Sequence, residues 1–271
     1  MFVIIGIIVV ILAISVGFLI AGGNLLLLLQ WAEFIVIGGA AIGSLLISAP
    51  LSLLKKIIGE IPQSIKPAHF SKQDYLDLLK SFNELFQIAQ RDGLISIESH
   101  IENPQESEIL SRNKKFSENE MLRNFFSDTM KVMLSGGVPP HELEELIDTE
   151  IETFEIENKP VSNTLTRVGD SLPGLGIVAA VLGIIVTMSA IDKGAEVVGH
   201  HVAAALVGTF LGVLLSYGFV NPLASNIEHN FENKTRLLHT IKSCIIAYAK
   251  GNPPIVLRAI STATVGGLPF A

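Results

Sequence analysis

Acidic side chains are missing from the places where a self-contained ion carrier would need them. Four long apolar runs cross this chain, and no Asp, Glu, Lys or Arg lies inside the first, third or fourth; Glu33 stands near the outer end of the second. Intramembrane ionisable groups usually mark an ion path. If these helices carry ions, the titrating carboxylate is therefore expected on another chain. Cysteine is almost absent: Cys244 alone excludes an internal disulfide and reads as a buried, reduced thiol. Basic residues are in deficit, 19 against 26 acidic, for a net charge of −7 and no basic stripe, which argues against a nucleic-acid partner. No alternating strand pattern appears between the apolar runs. Nor is there a nucleophile–base set, a phosphate loop or a metal-ligand cluster, so neither an enzyme nor a cofactor is expected. His200 and His201 suit an interfacial position better than a metal site. Internal repeats, common in self-sufficient transporters, are missing as well.

What the chain has in excess is hydrophobic surface: 49% of its residues, with a mean hydropathy of +0.51. A bilayer core takes about 20 apolar residues as helix. Residues 2–21, 25–49, 172–191 and 201–220 each meet that length. The first run lacks a basic n-region and is followed closely by another span, so cleavage as a signal peptide is not expected. Of the 19 Lys and Arg, 13 fall between Pro50 and Asp170 and five after Pro222, with Lys193 alone between spans three and four. Basic residues stay inside. The N-terminus, the middle and the tail are thus expected in the cytoplasm. The expected fold is all-α and polytopic. Residues 1–49 form a transmembrane hairpin, 50–170 a helical cytoplasmic domain, 171–222 a second hairpin lining an ion path, and 223–271 a cytoplasmic tail helix.

Within the middle region, Leu54, Ile57, Ile58 and Ile61 share one helical face beside Lys55 and Lys56, which suits an interfacial helix ended by Pro62. Ser71 with Asp74 reads as a helix cap. Tyr75, Leu78, Leu79, Phe82, Leu85, Phe86 and Ala89 then recur at helical spacing until Gly93. Ser117 and Glu120 form a capping-box signature before a helix that stops at Gly136-Gly137. Pro139-Pro140 opens an acidic helix that includes Glu142, Glu144, Glu145, Asp148, Glu150 and Glu152. Most of these charges read as solvated faces. Those flanking the Gly93 turn, Arg91, Asp92 and Glu98, can also form a docking tip.

The spans are rich in small residues. Gly39 with Gly43, Ala179 with Gly183, and Gly208 with Gly212 are each four apart, a spacing that lets helix backbones approach closely in lipid. Packing within one bundle explains part of this, and oligomerisation is expected to explain the rest. Pro173 and Pro222 both fall at cytoplasmic span ends, beside Asp170 and Asn221. A proline late in a helix removes a hydrogen bond and permits a bend, so the pair reads as a flexible gate bordering water. Thr187, Thr209, Ser216 and Tyr217 are the polar intramembrane candidates.

At these residues the chain resembles the A subunit of the flagellar motor stator, the MotA/PomA family. The likeness is carried by GDSLPGLGIVAAVLG (169–183), VGTFLGVLLSYGFVNPLA (207–224), IENPQESEI (101–109) and WAEFIVIGGAAIGS (31–44), and extends over nearly the whole length. The resemblance implies an ion-driven torque generator in the inner membrane, with five A subunits around a dimer of a MotB-like B subunit whose single span carries the ion-binding aspartate. It implies coupling roles for Pro173 and Pro222 and an ion-path position for Thr209. Asp170 and Tyr217 are added to that path as its polar neighbours. Ala180 occupies the position where sodium-type members carry threonine; a methyl cannot replace an oxygen ligand, so a proton-driven member is implied. Glu98 matches a residue that engages the rotor protein FliG. The arginine expected three residues before Gly93 is Gln90 here, with Arg91 one place on, and Arg91, Gln90, Glu98 and Glu150 are the candidate rotor contacts. ExbB/TolQ-type energisers resemble this chain in spans three and four but have three spans. The fourth span and an interior N-terminus point away from them.

Overall fold

The computed structural model describes residues 2–65, 70–189 and 191–252. Among the described residues every regular element is helical. The chain divides into two compact units, residues 1–68 with 158–230 and residues 69–157 with 231–271.

The first unit is the apolar one. Helix α1 (Phe2–Ile20) has no buried residue, the pattern of a span apolar on every side. After a 3-10 turn at Leu25–Leu28, α2 (Trp31–Ser48) follows, then α3 (Leu51–Ile65). Helix α3 buries Leu54 and Ile57, with Ile61 half-buried on the same side, but Ile58 is exposed, which narrows the expected face. Pro62 does not end this helix, contrary to the sequence expectation: it lies inside it. A proline removes one backbone donor without preventing the next turn, and there Ser64 Oγ donates to the Ile61 carbonyl at 2.7 Å. Four helical stretches are long and apolar enough to cross a membrane, beginning at Phe2, Leu25, Pro140 and Ala195. The core of this unit is small: Ile37 and Ala41 of α2 pack with Leu172, Ala179, Val207 and Leu211.

The second unit is built on α4 (Lys72–Asp92), α5 (Glu98–Glu102), α6 (Lys114–Ser117), α7 (Glu120–Leu134) and the flanking part of α8 (Pro140–Met188). Helix α4 starts at the expected cap. Ser71 Oγ accepts from the Asp74 N–H at 3.3 Å, and the Ser71 N–H donates to Asp74 Oδ2 at 2.6 Å. It ends at Gly93, whose φ of 90° and ψ of 159° lie where only glycine is comfortable. The cap of α7 is not Ser117. That residue completes α6, and Asn119 Oδ1 accepts from the Leu122 N–H at 3.3 Å instead. Two cap-forming residues stand two positions apart, and the short α6 turn takes the first.

Aromatic packing supplies this unit's core. Phe82 stacks on Phe126 with centroids 4.9 Å apart, and Phe116 meets both rings edge-on. Helix α10 (Asn221–Ala249) closes it with Leu237, Leu238, Ile241, Cys244 and Ile245, all buried. Tyr248 stacks on Phe86 at 4.7 Å. The stretch read as a separate tail is thus part of the domain core as far as Ala249, while residues 253–271 lie outside the described residues. Burial pushes the Cys244 thiol up to about 12, keeping it protonated and unreactive as expected.

Candidate ion-coupling site

Glycine sets the geometry where α8 meets α9 (Ala195–Val213). A Cβ on Gly212 would lie 2.5 Å from the Leu172 carbonyl oxygen and 2.8 Å from Gly176 Cα. One on Gly176 would lie 2.8 Å from the Gly208 carbonyl oxygen. The two backbones therefore touch directly at Gly176, Gly208 and Gly212, and a turn or two further on Gly183 meets Ala205 in the same way. This is the small-residue contact that the spacing predicts, realised inside one chain.

Near this contact both helical arms of the hairpin are interrupted. Pro173 sits inside α8 and supplies no donor for the Gly169 carbonyl. On the other side, residues Leu214–Val220 wind as a π-helix, with the Asn221 N–H donating to the Ser216 carbonyl five residues back. A proline ring clashes with the carbonyl four residues before it in a regular helix. The wider π turn ahead of Pro222 makes room for that ring, and such turns recur at functional sites. Between the breaks, Asn221 Nδ2 donates to Asp170 Oδ1 at 3.0 Å and approaches Ser216 Oγ at 3.5 Å. Asn221 Oδ1 is buried without a partner among the described residues, and a Cβ on Gly169 would collide with it. The two proline-bearing segments thus lie side by side at one level, joined by a single polar bridge.

The remaining candidates divide by what they face. Ala180 is buried, with its backbone nitrogen against Gly208, one residue from half-buried Thr209. Thr187 and Ser216 are fully buried in this chain's own bundle; the Thr187 hydroxyl donates to the Gly183 carbonyl at 2.8 Å. Tyr217 is 65% exposed and Pro222 is exposed, so both lie on the surface the single chain offers to lipid or a partner. Two features escaped the sequence reading. Pro160 lies inside α8. Glu33, in the first turn of α2, is 7% exposed, its Oε2 enclosed beside Gly208. The available signal was periodicity: Glu33, Ile37 and Ala41 are four apart and form the buried stripe of α2.

Charged candidates on the second unit are dispersed. Arg91 is exposed and pairs with its neighbour Asp92, Nη2 to Oδ2 at 2.6 Å. Gln90 is exposed and borders a surface hollow of about 380 Å³ lined by Leu94, Met133 and Tyr248. Glu98 opens α5 and is exposed. Glu150 lies on α8, where burial first and the charge of Asp128 second push its carboxyl above the usual range. The acidic run that contains it is partly neutralised. Lys242 pairs with Asp148 at 2.6 Å and Lys250 with Glu144 at 2.7 Å, leaving a smaller acidic face than the sequence suggested.

These features define a class: an all-helical polytopic membrane protein whose third and fourth spans pack through glycine and break at paired prolines. Known proteins narrow it further. Residues 4–93 match the motility protein A N-terminal family, and residues 117–240 match the MotA/TolQ/ExbB proton channel family. The chain is 36% identical to motility protein A of Salmonella typhimurium over 95% of this chain and 88% of that one. It is also 36% identical to chemotaxis protein LafT of Vibrio parahaemolyticus over 93% and 88%. In fold it is similar to a chain of the C. jejuni MotAB structure, with a TM-score of 0.82 at 23% identity over 97% of this chain and 94% of the other. A chain of the Bacillus subtilis flagellar MotAB stator complex scores 0.78 at 24% identity, covering 94% and 92%. The chain belongs to the motility protein A family.

Proposed function

We propose that this chain is the A subunit of a bacterial flagellar motor stator, acting without enzymatic chemistry. Inward proton flow, through a complex with a MotB-like single-span subunit, is coupled to torque on the rotor protein FliG. The observation that carries this reading is the α8–α9 hairpin, glycine-packed and broken at Pro173 and Pro222 around the Asp170–Asn221 bridge, in a chain of this family. The partner's aspartate titrates. Protonation removes a charge from a low-dielectric site, where charge is costly. The segments at Pro173 and Pro222, where backbone hydrogen bonds are lost or rearranged, respond by bending, with Thr209, Ala180 and Tyr217 along the same hairpin. The second unit then moves against rotor charges, with Glu98, Arg91, Gln90 and Glu150 as its candidate contacts.

In this reading five copies surround a B dimer, the protein is multi-pass in the inner membrane, and both termini lie in the cytoplasm. Residues 1–49 and 171–222 form the membrane hairpins, and 50–170 with 223–271 the cytoplasmic part. Co-expression with a MotB-like partner in cells lacking their own stator is expected to restore rotation. Assembly at the motor without rotation would reject the assignment.

A further inference from the structure

The enclosed Glu33 carboxylate plays no part in the mechanism above. Its side chain leaves the first turn of α2 and points inward, and Oε2 has no hydrogen-bond partner among the described residues. The space it fills exists because residue 208 is glycine: a Cβ there would lie 2.5 Å from Glu33 Oε2 and 3.2 Å from both Ala179 Cβ and the Ala180 nitrogen. Three helices thus meet around one carboxyl group. Gly208 lies seven residues into the span 201–220, about 10 Å along the axis at 1.5 Å per residue, so the slot is set inside the apolar span. The surroundings offer little to balance a charge. Residues 25–28 and the membrane part of α8, 171–188, carry no ionisable side chain, and α2 carries none besides Glu33. Helix α9 carries Glu196, His200 and His201; His201, half-buried, shares the face of Gly208 two turns away. An unpaired charge in such a place is strongly disfavoured, whereas the neutral acid needs only one acceptor.

We propose that Glu33 is a proton-binding group of this chain, a staging site between the outside and the titrating aspartate of the partner. A proton arriving from outside converts the carboxylate to the carboxylic acid, and its departure inward to water or to the partner's carboxylate restores the anion. Gly208 is the positioning residue that keeps the slot open. This rests on the stator reading for the direction of flow, but not for the existence of the site.

The test uses the full chain with its partner in lipid, comparing wild type, Glu33→Gln and Glu33→Asp. Infrared difference spectra between high and low pH are expected to show a protonated-carboxyl band that is lost in Glu33→Gln and displaced in Glu33→Asp. In cells, Glu33→Gln complexes are expected to assemble but to turn with a flattened dependence of speed on external pH, and Glu33→Asp to retain a shifted dependence. Unchanged spectra in both variants, or wild-type speed and pH profile in Glu33→Gln, would overturn the proposal. If Glu33→Gln fails to assemble, the Glu33→Asp spectrum decides alone. A motor that the wild-type complex cannot drive, with the Glu33 band present, would reject the stator reading and keep the site.

Discussion

Single residues in this protein act mainly through hydrogen bonds that are absent. Pro173 leaves the Gly169 carbonyl without its helical donor at the level where Asn221 bridges to Asp170. Pro173→Ala would restore that donor and stiffen α8. The variant is expected to insert and assemble normally and to produce no torque; normal swimming would remove the hinge role. Asp74 shows the opposite case, a hydrogen bond made and strengthened. Burial raises its carboxyl, but hydrogen bonds from Lys115 and Ser71 outweigh it and hold the group below the usual range. A depressed folded-state value means stability that is present above the unfolded value and lost as pH falls through the folded one. Asp74→Asn is therefore expected to lower thermal stability near neutral pH by about 1 kcal/mol, the scale of a lost cap. The difference from wild type should vanish in acid. A deficit that persists at low pH would assign the effect to packing.

At the scale of elements, close approach between α8 and α9 outweighs any side-chain contact. With 2.5 Å from a Gly212 Cβ to the Leu172 oxygen, an added methyl must push backbone against backbone, and neither helix can yield locally. Gly212→Ala is expected to separate the hairpin and abolish motor assembly, read as loss of fluorescent stator foci. By contrast, Gly39 and Gly43 of α2 meet nothing within 4 Å among the described residues, so the GxxxG of span two makes no close contact there. The π segment before Pro222 belongs to this scale too. It is a property of seven consecutive residues that accommodates a ring which one residue alone cannot place.

For the whole molecule, the balance of charge and oxygen along the proposed path sets which ion is used. Ala180 is buried with its backbone nitrogen against Gly208, and in the proposed reading its methyl stands where a dehydrated sodium ion would need an oxygen ligand. Exchanging external sodium for potassium at fixed pH is expected to leave motor speed unchanged, and a steep sodium dependence would contradict the proton assignment. Much of this molecule was legible in advance. The four spans, the Ser71 cap, the Gly93 stop and the buried Cys244 follow from hydropathy, local hydrogen bonding and residue size, all of which act over a few neighbours. The Asn119 cap, the continuation of α3 past Pro62 and the inclusion of Leu237–Ala247 in a domain core were not. Nor was the burial of Glu33, which stands in the first turn of α2 on the face turned inward. What the amino-acid order determined by itself was which segments are helical and which are apolar, because those preferences are paid out turn by turn. Only the tertiary structure decided which faces meet, and with that which carboxylate is enclosed and which glycines touch, since contact depends on partners distant in the chain.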